Sequence, residues 1–292
     1  MKKTFSNFAV LLLVGASLMV SYGCPDETVF PAPAPPVFAL RSSDTATVPT
    51  GIRSVYGEKA IHLEWFRNRE FNLGGYRIYR TSQIIDNRPV NFRLYKDIPL
   101  RSQDPDTAFD DFGVVIDTLY HYRLKAYNTE DIESSFSDSI AQYKLALAPF
   151  ALLPSGGVVS VLSLDDLTLS WNTSNIGGGT GYSAVHLYED NDGSDALDSC
   201  AFIAYEQYGG SFGGEVSQTY SAIKTNSNTR LFKPLVSGKV YEWFVTTLPN
   251  GADYSTPHAA TSRIERFTLQ QTTLRPMVQQ SARRTSSSRP KK

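Results

Sequence analysis

The side chains able to do chemistry in this chain are few and widely spaced: four histidines (His62, His121, His186, His258), two cysteines (Cys24, Cys200) and one dense acidic run. The run reads Glu189-Asp190-Asn191-Asp192-Gly193-Ser194-Asp195, with Asp198 just beyond. Calcium takes several oxygen ligands at once, and carboxylates alternating through a turn can supply them. Asp190, Asp192 and Asp195 are therefore the candidate metal ligands. Their register departs from a twelve-residue calcium loop, because placing Gly193 sixth makes Tyr188 first and Ser199 twelfth. Asn191-Asp192-Gly193 is also a turn signal in its own right, so the run reads first as a solvated turn, and no cofactor is expected.

A second candidate lies in the aromatics around the Gly-rich stretch 208–214. Tyr205, Tyr208 and Phe212, with Tyr220 beyond, are the candidate ligand-binding residues, since rings on a loop stack on sugars or dock proteins. The alternative is that they pack back on a sheet. The histidines form no constellation. With Ile61, Leu63 and Trp65 facing inward, His62 faces solvent, and with Tyr120, Tyr122 and Leu124 inward, so does His121. His186 and His258 have no acidic or hydroxyl partner at a telling spacing. No nucleophile, base and orienting group come together, which reads as a non-enzymatic protein.

Charge narrows the partners. Of 28 basic residues, two lie in residues 1–23 and six in residues 270–292, and neither end carries an acid. The stretch between holds 20 basic and 29 acidic residues, a net of −9. An acidic body repels phosphate backbones, so nucleic acid is not an expected partner. The tail, 270–292, reads as disordered and basic.

The amino terminus has the pattern of an export signal. Lys2 and Lys3 precede the apolar run Phe8 to Val20, which is too short to cross a bilayer comfortably. Ser21-Tyr22-Gly23 then offers small residues before Cys24. Gly23-Cys24 resembles the lipobox of bacterial lipoproteins, although Ser21 stands where leucine is usual and Tyr22 is bulky. The resemblance implies a signal peptide over 1–23, cleavage before Cys24 and acylation of its sulfur. Cys24 is thus the candidate lipidation site, and the lipid bilayer an expected partner. Ordinary signal cleavage at the same bond would instead leave a secreted soluble protein. With Cys24 acylated, Cys200 is alone and no internal disulfide forms; its apolar surroundings suit a buried, inert thiol. Residues 24–47 include Pro31-Ala32-Pro33-Ala34-Pro35-Pro36, a composition that favours extended polyproline II. They are expected to form a stalk that lifts the body off the membrane, and Asp26-Glu27 resembles the acidic signal that sends some lipoproteins to the cell surface.

The rest of the chain alternates apolar and polar residues with the period of a strand, as in Ile61 to Trp65, Gly75 to Tyr79 and Tyr120 to Ala126. Turns separate these short runs, and no stretch has a strong helical period, so the class is all-β. The pattern repeats. Leu167 to Trp171 lies 106 residues beyond Ile61 to Trp65, and Gly181-Tyr182 lies 106 beyond Gly75-Tyr76. Tyr241 breaks the offset, falling 121 residues beyond Tyr120. Fifteen added residues are therefore expected in the second copy, with the Gly-rich 208–214 stretch as their place. Trp65 and Trp171, the Gly-Tyr strands, and Tyr120 and Tyr241 resemble the landmarks of fibronectin type III domains. That family buries the tryptophan on its second strand and ties the sixth-strand tyrosine back to the chain. The resemblance implies two tandem immunoglobulin-like β-sandwiches, over 48–146 and 150–269. Together these readings describe a lipid-anchored protein of the bacterial cell envelope, on the outer membrane at its periplasmic or surface face. Its expected role is a scaffold for an envelope protein or a surface glycan, and a calcium-stabilised carbohydrate module is the alternative.

Overall fold

The structure, a computed structural model, describes residues 30–43, 46–100, 107–173, 181–194, 196–208, 214–249 and 257–273. It is all-β, two sandwiches in tandem. The first contains β1 (Val37–Phe38), β2 (Arg53–Ser54), β3 (Ile61–Phe66), β4 (Leu73–Thr81), β5 (Ile84–Ile85), β6 (Arg88–Pro89), β7 (Arg93–Pro99), β8 (Ala108–Asp111), β9 (Leu119–Asn128) and β10 (Ala141–Leu145). The second contains β11 (Phe150–Leu153), β12 (Val158–Val161), β13 (Thr168–Asn172), β14 (Gly181–Asp190), β15 (Ser199–Tyr208), β16 (Glu215–Thr219), a short helix α1 (Tyr220–Thr225), β17 (Arg230–Leu231), β18 (Val240–Pro249), β19 (His258–Thr261) and β20 (Glu265–Gln271).

In the first sandwich β1, β2 and β8 flank β3, opposite a sheet ordered β7-β4-β9-β10. Period-two alternation sends Ile61, Leu63 and Trp65 inward from β3 to meet Tyr76, Ile78, Tyr122 and Leu124. Trp65 meets Tyr76 edge-on at 5.4 Å. In the second sandwich β11-β13-β16 faces β15-β14-β18. Its core holds Trp171, Leu187, Phe202, Tyr241, Trp243 and Phe267. Burying each such side chain contributes about 1.5–3 kcal/mol. Both tyrosines tie back five residues: Tyr120 Oη accepts from Val115 N at 3.1 Å, and Tyr241 Oη from Val236 N at 2.8 Å. Gly75 has φ +155°, and a Cβ there would come within 2.3 Å of the Ile98 carbonyl oxygen, so β4 needs glycine where it passes β7.

Four expectations need correction. The Pro-rich segment is not a free stalk from residue 30 onward. Val37 and Phe38 pair with Phe66 and Trp65, Asn68 Nδ2 donates to the Ala34 carbonyl at 2.9 Å, and Pro33, Pro36 and Phe38 are buried. A proline run lacks amide donors, yet its carbonyls and rings still suit the edge of a sandwich. The first sandwich therefore starts near residue 30, not 48. The added residues of the second copy lie elsewhere than expected. Seven residues join β8 to β9, whereas twenty join β16 to β18, and α1 and β17 sit among those twenty. The Gly-rich stretch matches the first copy in length to within a residue or two, since β8 and β16 start at 108 and 215. At the far end, β20 carries Gln270 and Gln271 in parallel register with Ser160 and Val161, so the second sandwich extends past 269. Residues 274–292 lie outside the described residues.

The fourth correction concerns facing. His121 is only 4% exposed, because β9 is buried on both faces near its start. Its neighbours across the strands are Thr81 and Gln142, and Thr81 Oγ1 donates to the Val90 carbonyl at 2.7 Å. This draws the 82–92 excursion back beside the sheet.

The two sandwiches are joined edge to edge. β10 pairs in parallel with β19, Lys144 opposite His258 and Leu145 opposite Ala259, so the two larger sheets form one of eleven strands. Lys144 N and Ala146 N donate to the Pro257 and Ala259 carbonyls at 2.8 and 3.0 Å. Next to this seam the 46–57 segment covers the outer face of β14 and β18. Tyr188 Oη donates to the Thr47 carbonyl at 2.9 Å, the Ser54 and Thr261 hydroxyls meet at 2.8 Å, and Tyr56 packs edge-on against Phe244 at 4.8 Å. Covered on both faces, β14 is buried almost throughout, which removes the alternation that would reveal its facing.

Candidate functional site

The acidic turn uses its own carboxylates. Asp190 Oδ1 accepts from Gly193 N at 2.7 Å and Asp192 N at 3.2 Å, Asp192 Oδ1 from Ser194 N at 2.8 Å, and Asp198 Oδ2 from Asn191 N at 2.7 Å. These are the side-chain-to-backbone bonds by which aspartates build turns. The amide of Ser194 also holds the Asp192 carboxyl below the usual carboxylate range. Oxygens of Asp190, Asp192 and Asp198 do lie within 4.8 Å of one another. A cation is already beside them, however: the Arg266 guanidinium sits 3.4 Å from Asp190 Oδ2 and donates to the Ser194 carbonyl at 3.0 Å. Of the sequence candidates, Asp190 and Asp192 come together, and Asp195 lies outside the described residues.

Among the described residues, Tyr205 and Tyr220 do not form an exposed platform. Tyr205 is half-buried and packs against the buried cluster that includes Ala184, its cross-strand neighbour on β14. Tyr220, the first residue of α1, is 4% exposed and stacks on Phe202 at 6.0 Å. Tyr208 closes β15, and Phe212 lies outside the described residues. The added connection thus anchors itself in the core through Tyr220 and Ile223.

The histidines behave as elements of structure. His62 Nδ1 meets Asp110 Oδ1 at 2.6 Å across β3 and β8. Burial foremost, then Arg53, lowers its pKa against the pull of Asp110. His258 Nε2 lies 3.1 Å from Asp117 Oδ1, which also has Lys144 Nζ at 3.4 Å. That acid is 141 residues away, and only the β10–β19 pairing delivers it. His186 stacks on Phe244 at 4.6 Å, and its Nδ1 has no hydrogen-bond partner among the described residues. It lines a cavity of about 50 Å³ at the seam, with Arg53, Tyr56, Phe244 and Thr261. This is room for water rather than for a substrate.

Burial drives the His186 pKa down to about 3. The unfolded chain takes up a proton near pH 6.5 that the folded chain refuses until about pH 3. The stacked neutral ring is therefore fully accommodated above pH 6.5, and stability falls as pH drops through that window, by up to about 1.4 kcal/mol per pH unit. His186→Phe keeps the stack and is expected to flatten the pH dependence of unfolding between pH 6.5 and 4. An unchanged slope in denaturant titrations would show that the ring is not shielded.

Cys200 is the second residue of β15, half-buried, with Sγ 3.7 Å from the Phe202 carbonyl. Burial pushes its thiol up to about 11, so it is little ionised at neutral pH and a poor nucleophile. Cys24 lies outside the described residues.

One charged centre escaped the sequence reading. Asp111, at the end of β8, has a side chain with no exposure at all. Its Oδ2 accepts from Arg80 Nη1 at 2.6 Å and Tyr122 Oη at 2.8 Å, and its Oδ1 from Tyr95 Oη at 2.6 Å and Gly113 N at 2.8 Å. Arg80 lies over the Tyr95 ring at 3.8 Å and the Tyr120 ring at 4.8 Å. With four donors the carboxylate is saturated, which makes it a cross-brace between the sheets. A second cluster, on the outer face of β4 and β9, is more exposed. Glu133 accepts from Arg77, Tyr79 and Lys125 at 2.6–2.9 Å. Despite partial burial, those bonds hold its carboxyl down to about 2.

No family profile and no curated protein matches the chain, whereas 335 chains of solved structures do. An Fn3-like protein from Clostridium thermocellum shares 19% identity over 38% of this chain and 92% of its own, with a TM-score of 0.26. The chicken CNTN1 FN1–FN3 domains share 17% over 82% of this chain and 68% of theirs, also at 0.26. The fibronectin type III-like character of the sandwiches is thus carried by the buried tryptophans, the strand order and the two tied-back tyrosines.

Proposed function

We propose that the protein is a non-enzymatic scaffold of the bacterial envelope, held to a membrane by acylated Cys24 and presenting its two fused sandwiches to an envelope protein. The observation that carries the anchor is Gly23-Cys24 directly after Lys2, Lys3 and the Phe8–Val20 run. Two or three acyl chains hold such a body durably, since each buried CH₂ contributes about 0.8 kcal/mol. The scaffold role is supported by where the chemical side chains go. Among the described residues, the histidines, Cys200 and Asp111 are spent on packing and bracing. A glycan platform finds no support at Tyr205 and Tyr220, which are half-buried and buried.

Detergent phase partitioning of the cell-made protein beside Cys24→Ala tests the anchor. The unaltered chain is expected in the detergent phase and the variant in the aqueous phase. Equal partitioning would make this a secreted sandwich protein.

A further inference from the structure

Five residues, Pro25 to Val29, separate Cys24 from Phe30, and Phe30 is already seated on the first sandwich. Its ring meets Phe71 edge-on at 5.5 Å, and its carbonyl accepts from Asn128 Nδ2 at 3.3 Å. Six steps from Cα to Cα reach at most about 21 Å. Whatever holds Cys24 therefore holds that end of the sandwich close by.

The loop at that end is Phe66-Arg67-Asn68-Arg69-Glu70-Phe71. Phe71 is 88% exposed and Phe66 61%, and Arg67 and Arg69 point outward beside them. Glu70, the loop's one acid, is half-buried and accepts from Ala34 N at 2.7 Å, while Asn68 holds the Ala34 carbonyl. The loop is thus tied to the same segment that leads to Cys24. Two exposed phenylalanines flanking two arginines suit the boundary between headgroups and acyl chains, where apolar rings enter and cations meet phosphate.

We propose that the 66–71 loop is a membrane-contact element, seating Phe71 and Phe66 in the bilayer that holds Cys24, with Arg67 and Arg69 on lipid phosphates. The inference rests on the acylated-Cys24 reading. It makes the body lie against the bilayer instead of standing off it. The neighbouring turn carries exposed Glu130 and an Asp131 paired with Arg77, so the contact depends on insertion of the rings more than on net charge, and a zwitterionic bilayer suffices.

The test places an indole at the loop. Trp65, Trp171 and Trp243 are at most 2% exposed, so Phe71→Trp in the acylated full chain adds the one exposed indole among the described residues. In phosphatidylcholine vesicles with brominated acyl chains, the added emission is expected to fall by about half or more relative to unbrominated vesicles, as for a side chain at the acyl boundary. Leu162→Trp, beside the end of β12 in the second sandwich, is expected to show no such loss. Equal emission from Phe71→Trp with and without bromine, in a sample whose mass shows the acyl chains, overturns the contact alone. A sample without acyl chains overturns the anchor and the contact with it.

Discussion

Asp111→Ala is expected to lower the stability of the protein by about 3–5 kcal/mol, the cost of leaving a buried charge without its partner. Four donors lose their acceptor at once: Arg80, Tyr95, Tyr122 and the Gly113 amide. Arg80 keeps the Gly113 carbonyl at 3.1 Å and its two aromatic faces, which do not replace a carboxylate. The Tyr122 hydroxyl, on a side chain with no exposure, has nowhere else to turn. Asp111→Asn retains an acceptor oxygen, loses the ion pair and should fall between the two. Denaturant unfolding of both variants decides it. A loss below about 1 kcal/mol for Asp111→Ala would mean that the brace is redundant, in the range of an ordinary surface ion pair.

Trp171→Ala is the second large effect, about 3–5 kcal/mol for truncating a fully buried tryptophan. Trp171 has no exposure, and its Nε1 donates to Ser183 Oγ at 3.1 Å on the facing sheet. Truncation leaves both a cavity and a buried hydroxyl without its partner. Trp171→Phe removes the hydrogen bond but fills most of the space, and a smaller loss is expected. Circular dichroism under denaturant measures both, and equal losses for the two variants would show that packing contributes little here.

Trp171 was legible from residue pattern and Asp111 was not, and the contrast shows what a sequence carries. Trp65 and Trp171 sit in strands that alternate and share one offset, which exposes them, and Tyr120 and Tyr241 are picked out by the resemblance to fibronectin type III domains. Asp111 is one acid among 29. Its partners at 80, 95, 113 and 122 come from separate strands and a turn, and no local pattern joins them. His186 and His121 were misjudged, or left without a partner, for a related reason. Period two reports facing only where one side of a sheet is wet, and the seam and the 82–92 excursion cover the second side. The added residues of the second copy were misplaced because the Gly-rich stretch and the β16–β18 connection lie between the same two landmarks, Gly181 and Tyr241. An offset counts insertions without locating them. The Pro-rich segment was read as a stalk from composition alone, whereas its docking depends on Asn68, Glu70 and Asn128, which are 34 to 98 residues further along.

These features give the proposed anchor its consequence. The body is braced at Asp111, joined across β10–β19 and paired along β3 by Val37 and Phe38. With Cys24 acylated as proposed, such a body would fix the distance and direction of a bound partner relative to the membrane, which a flexible stalk would not.

The intact mass of the protein recovered from its own membranes tests this account most directly. A mature chain beginning at Cys24 and heavier by two or three acyl chains is the predicted result. An unmodified chain, whether it begins at Cys24 or elsewhere, would contradict it.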